Sequence, residues 1–168
     1  MINEQRKKAV DFTEPFLPSG ITGLLSKQLA NQIRKATDLI NQTKISYGTL
    51  SFGPTYTKFM QSTDPMIRPI SEHMKEHPED MVLSNKEGII KVLSEDYVFF
   101  GETERLEYLA SQICSLTVFK SGLFQINGFG IAMQKNSHLL PAFNKAIFKM
   151  KLNGKLKQLK EKWWRTSC

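Results

Sequence analysis

Four apolar residues in succession, Tyr97-Val98-Phe99-Phe100, stand between Asp96 and the pair Gly101-Glu102. A run this short, rich in aromatic and β-branched side chains and bounded by polar residues and glycine, reads as a buried strand. The chain around it reads alternately as strand and helix. Val10 to Thr22 mixes apolar residues with Pro15, Pro18 and Gly20, which fits a strand broken by turns. Leu24 to Asn41 carries a helical pattern, and Lys44 to Leu50 reads as a strand ending in the turn Ser51-Phe52-Gly53. Pro54 suits the first turn of a helix running toward Met60 and Ser62. A second helix covers Ile67 to Glu76 and stops at Pro78. Ser84 stands three residues before Glu87 in the capping-box pattern of another helix. Glu102 to Cys114 is helical, Phe129 to Met133 is a strand, and two helices close the chain, the second starting near Asn153-Gly154. Alternation of this kind predicts an α/β protein with a largely parallel or mixed sheet.

The 168 residues fit one domain or two small lobes, and 40% hydrophobic content is ordinary for a folded chain, which excludes disordered and fibrous classes. No run approaches the roughly 18 apolar residues of a membrane span. Met1 to Lys8 is hydrophilic and lacks the apolar core of a secretory signal. The net charge of +7 invites a nucleic-acid reading. However, eight basic residues and the single acid Glu161 lie between Lys145 and Arg165, while the rest of the chain balances at fifteen of each sign. There Phe143, Ala146, Ile147 and Met150, then Leu156, Leu159 and Trp163, recur at helical spacing with lysines between them. These are the solvated faces of two amphipathic helices; no stacking aromatics interleave with the lysines, so no nucleic-acid partner is expected. The two cysteines, Cys114 and Cys168, allow one pairing, which an extracellular chain would form and a cytosolic one would not.

His73-Met74-Lys75-Glu76-His77 matches the H-x-x-E-H pattern of some zinc peptidases, and histidines at i and i+4 share a helix face. Pro78 and a polar flank follow at once, so a solvated helix end is the plainer reading. No Ser-His-Asp or Cys-His arrangement and no glycine-rich phosphate loop is present; no catalytic residue, resident metal or cofactor is expected. A second constellation is more specific. The turn Gly53-Pro54-Thr55 leads into a helix whose N-terminus and hydroxyl suit a carboxylate. Glu102 follows a strand at the carboxyl end where α/β sheets place ligands, and Arg6 offers a bidentate guanidinium. Together these match an amino acid with an acidic side chain, although Thr55 also reads as a simple cap and Glu102 as a solvated carboxylate.

Val10-Asp11-Phe12-Thr13-Glu14-Pro15-Phe16 with Ser19-Gly20-Ile21 resembles the end of the first ligand-binding segment of ionotropic glutamate receptors. Asp38-Leu39, Gln42 to Leu50, Gly53-Pro54-Thr55, Ser84 to Gly88, Asp96 to Thr103, Phe129 to Ala132 and Lys160-Glu161-Lys162-Trp163-Trp164-Arg165 resemble the second segment, most closely of the kainate type. The resemblance implies a periplasmic-binding-protein-like, two-lobed α/β clamshell with one lobe nearly complete and the other truncated. Residues 1–33 would be the remnant of the first segment, 34–125 the second lobe, and 126–168 the return to the first lobe. By the same resemblance Arg6 would hold the α-carboxylate of L-glutamate, Thr55 its side-chain carboxylate and Glu102 its ammonium group. Cys114 and Cys168 would form a disulfide.

Departures from the family are also informative. At Pro54 the family usually has serine or alanine, whose N–H helps bind the ligand; losing that donor costs about 1–3 kcal/mol. The membrane helices the family inserts between about Leu25 and Ile33 have no counterpart here. The resemblance therefore implies the ligand-binding region of a kainate-like ligand-gated cation channel, without its pore. It would sit on the extracellular side of the plasma membrane among other subunits, a tetramer in the family, touching membrane only through segments absent here. A soluble amino-acid-binding protein is the alternative, and a zinc peptidase using His73 and His77 the remote one.

Overall fold

The computed structural model describes residues 1–120 and 122–165. In chain order its elements are α1 (Glu4–Lys7), β1 (Asp11–Phe12), β2 (Leu17–Ser26), β3 (Ser46–Thr49), α2 (Pro54–Met60), α3 (Arg68–Glu76), α4 (Asn85–Ser94), β4 (Tyr97–Glu102), α5 (Thr103–Gln112), β5 (Leu116–Val118), β6 (Phe124–Phe129), β7 (Ala132–Met133), α6 (Leu140–Leu152) and α7 (Lys155–Trp163). Contacts divide the chain into a central unit, residues 21–124, and a terminal unit that joins residues 1–20 to 125–165. The sequence places the first boundary at residue 33. The contacts place it at Gly20–Ile21, because Ile21 to Leu24 pair with β4 and Leu25 joins the central core.

In the central unit the sheet runs β3-β4-β2-β5. β3 and β4 are parallel, with Tyr47 opposite Val98 and Thr49 opposite Phe100; β2 is antiparallel to β4 and to β5. The sheet is thus mixed. The pleat explains the unbroken apolar run of β4. Side chains alternate between faces, so Val98 and Phe100 enter one core with Tyr47, Phe59 and Ile70. Tyr97 and Phe99 enter a second core with Val82, Val92 and Leu106. Helices cover both faces, and a strand between two layers can afford no polar position along its middle.

The helix expected over Leu24 to Asn41 does not form. β2 continues to Ser26, and the chain then makes two 3₁₀ turns, Leu29–Asn31 and Ala36–Leu39. The spacing misleads because Leu25, Leu29, Ile33, Ala36 and Leu39 do share one core; a strand end and successive tight turns deliver them there. The capped helix at Ser84 forms as expected: Ser84 Oγ accepts the Glu87 N–H at 3.2 Å. The Glu87 carboxylate accepts the N–H of Leu83 at 2.8 Å, one residue before the cap. Gly88 lets α4 approach β4 closely, since a Cβ there would lie 2.7 Å from the Phe99 ring.

In the terminal unit β1 pairs with β7, Asp11 opposite Met133. Asp11 accepts hydrogen bonds from Lys135 Nζ at 2.8 Å and the Asn136 N–H at 2.7 Å, which hold its carboxyl below the usual range. The two basic helices are as expected, with Gly154 at φ 71° making the turn between them. Ile147 is the buried anchor of α6, and Asn144 Oδ1 accepts the Glu14 N–H at 2.8 Å. Among the described residues no helix is long and apolar enough to cross a membrane.

Candidate ligand-binding site

Because β3 and β4 are parallel, their carboxyl ends reach the same edge of the sheet, where α/β folds leave a crevice. Two local features fix that edge. Thr49 Oγ1 donates to the Phe100 carbonyl at 2.8 Å, which ties the strand ends together. The turn after β3 is pinned by the Ser51 N–H to Val82 O at 2.8 Å and by the Val82 N–H to Thr49 O at 3.1 Å. Phe52, at the tip, has φ 57° and a fully exposed ring. A left-handed phenylalanine is costly and is held only by its surroundings. The next residues, Gly53 and Pro54, open α2, with Pro54 at a helical position whose N–H needs no partner.

Between the two strand ends lies a cavity of about 210 Å³, lined by Leu50, Pro54, Thr55, Asn85, Phe100, Glu102, Arg105 and their neighbours. Three of the four residues singled out in the sequence, Pro54, Thr55 and Glu102, therefore face one space. The side chains of Thr55, Asn85, Glu102 and Arg105 have no hydrogen-bond or ion-pair partner among the described residues. Four unengaged polar groups around a small cavity with an aromatic wall have the make-up of a site for a small polar ligand. Arg6 belongs to the terminal unit; it is exposed on α1, and its guanidinium donates to the Met1 carbonyl at 2.9 Å. Asn85 and Arg105 were not legible as site residues; Arg105 lies in the first turn of α5, just past Glu102 at the end of β4. No described cysteine is free; the expected partner of Cys114, Cys168, lies outside the described residues.

The H-x-x-E-H motif does not assemble a metal centre. Among the described residues no three histidine, cysteine or acidic side chains are grouped to hold an ion. His73 instead stacks on Tyr47 with ring centroids 4.2 Å apart, and its Nδ1 is buried without a partner. His77 caps α3 and engages Glu79 at 3.0 Å. Burial, then the nearby His77, hold the His73 imidazole below its ordinary value of 6.5, against the opposing pull of Asp80, Glu76 and Glu79. The neutral form is thus favoured on folding. Below about pH 6.5 the unfolded chain binds a proton that the folded chain resists, so stability falls as pH falls through that window. Urea midpoints measured from pH 7.5 to 5 should drop more steeply for the wild type than for His73→Gln; parallel profiles would show that His73 contributes nothing.

The family described as bacterial extracellular solute-binding proteins, family 3, matches residues 1–166. The chain belongs to this family. Within it, the chain is 36% identical over 142 residues to the kainate-type ionotropic glutamate receptor glr-3 of Caenorhabditis elegans, covering 84% of this chain and 17% of that one. It is 33% identical over 143 residues to the ionotropic glutamate receptor kainate 1 of Rattus norvegicus, covering 84% and 15%. It also matches the solved structure of Drosophila muscle GluRIIB in complex with glutamate, with a TM-score of 0.81 and 31% identity over 98% of this chain and 66% of that chain. The kainate-type resemblance read from the motifs and the periplasmic-binding-protein-like α/β fold are both borne out. These relatives are receptors rather than enzymes. This family member spans about one sixth of the length of the curated relatives it matches.

Proposed function

We propose that this chain is the ligand-binding region of a kainate-like ionotropic glutamate receptor, taking an amino acid such as L-glutamate and coupling lobe closure to channel gating. The observation that carries the reading is the meeting of Pro54 and Thr55 with Glu102, from two separate stretches of sequence, around one cavity at the carboxyl edge of the sheet. The chemistry is binding, without a bond made or broken. Glu102 supplies a carboxylate for the ligand's ammonium group, and Thr55 a hydroxyl for its side-chain carboxylate. Arg6 takes the α-carboxylate. Pro54 contributes a ring wall and no N–H, so glutamate binds more weakly than it would with a donor at that position. The full receptor would carry this region on the extracellular face of the plasma membrane, among other subunits. Cys114 with Cys168 would tie the end of α5 to the C-terminal tail.

Calorimetric titration of the refolded, oxidised chain with L-glutamate tests the reading. Wild type should bind, and Glu102→Ala should lower the affinity by roughly a hundredfold, as expected for removal of one partner from a desolvated charge pair. Equal binding by the two proteins, or none by a folded wild type, would overturn it.

A further inference from the structure

Arg105 has no place in the roles carried over from the resemblance, yet it lines the same cavity as Thr55, Asn85 and Glu102. It sits in the first turn of α5, three residues after Glu102. Glu102 ends β4 just before the helix, so the two residues are close in sequence without sharing a helix face. Here neither side chain makes an ion pair or hydrogen bond among the described residues. A carboxylate and a guanidinium held apart on the wall of one small cavity offer a complementary contact to each end of a ligand that carries both signs. A guanidinium also keeps its charge at every physiological pH and presents a planar fork of donors that fits a carboxylate bidentately. On the α2 side of the cavity Pro54 has no N–H, so the hydroxyl of Thr55 is left with less help in neutralising an anion.

We propose that Arg105 is the specificity-determining residue of this site: its guanidinium pairs with a second, anionic group of the bound amino acid, so that an acidic amino acid is selected over its neutral isostere. The inference rests on the reading that the cavity binds an amino acid through Glu102. L-Glutamate and L-glutamine separate the two, because they differ little in size and by one negative charge. A polar site discriminates strongly only when a mismatched ligand leaves one of its charged groups unpaired.

The wild-type chain should prefer glutamate to glutamine by roughly tenfold or more, the worth of one charge-assisted pair. In Arg105→Gln that preference should shrink to within about twofold, through loss of glutamate affinity while glutamine affinity stays as it was. Arg105→Lys keeps the charge without the fork and should retain part of the preference. Since Arg105 is exposed and has no partner among the described residues, its replacement should leave the melting temperature unchanged, which separates a specificity role from a structural one. A glutamate preference that survives in Arg105→Gln would overturn the inference, as would equal losses for both ligands. Wild type binding both ligands alike would overturn this inference alone, whereas wild type binding neither would overturn the underlying reading as well.

Discussion

Replacing Phe100 with alanine should cost about 3–5 kcal/mol of folding free energy, a large share of the roughly 5–15 kcal/mol available to a domain. Phe100 is fully buried in β4 and meets three other rings: Phe59 at 5.2 Å, Tyr47 edge-on at 6.1 Å and Phe119 at 6.4 Å between centroids. Deleting it opens a void in the middle of this cluster, where α2, β3 and the segment after β5 would have to move together to refill the space. Because Phe100 also lines the candidate cavity, loss of any glutamate binding should accompany loss of stability. Guanidinium unfolding followed by circular dichroism gives the measurement. A midpoint within error of wild type would mean that the aromatic cluster is not the centre of the central unit's stability.

Gly48→Ala should be nearly as damaging for the opposite reason, too much volume instead of too little. An added Cβ would run into the Asp80 backbone carbonyl and lie 2.7 Å from both Met81 Cε and the Tyr97 hydroxyl. That hydroxyl donates to the same Asp80 carbonyl at 2.6 Å, and burial pushes its ionisation far above the ordinary range, so it remains a neutral donor. The substitution must either move β3 off β4 or break this buried bond, a combined cost of about 2–4 kcal/mol. Gly122→Ala is the matched control, because its Cβ would meet nothing nearer than 3.4 Å. Equal unfolding midpoints for the two variants would show that β3 has slack at Gly48.

The elements that could be read from the sequence are those whose cause is local. Pro54, Pro78 and the Ser84–Glu87 pair act within one turn of chain, and the helices they start or stop are present. The run at Tyr97 was legible because burial on both faces forces apolar residues at consecutive positions. Leu24 to Asn41 misled because its helical spacing arises from a shared destination in the core, which local geometry does not encode. β5 spans only Leu116–Val118, too short for an alternation to register. At the site, Thr55 and Glu102 stood out by their place at strand ends and turns, whereas Arg105 looked like any charged residue on an exposed helix face. Its meaning depends on the cavity wall opposite, supplied by residues some fifty positions earlier.

The division of the chain has a consequence for the order of assembly. β1 and β7 must meet across about 120 residues of chain, a closure that is slow and entropically costly when the intervening segment is unfolded. The central unit is one continuous stretch, and its two ends lie side by side, with the Leu123 N–H donating to the Ile21 carbonyl at 2.8 Å. Once it has folded, the loop left for β1 and β7 to close shortens to about 20 residues, reducing the entropic cost by roughly 1.6 kcal/mol. Every residue lining the candidate cavity belongs to that continuous stretch, so its walls can take shape without the terminal unit, and of the proposed ligand contacts only Arg6 waits on the later closure.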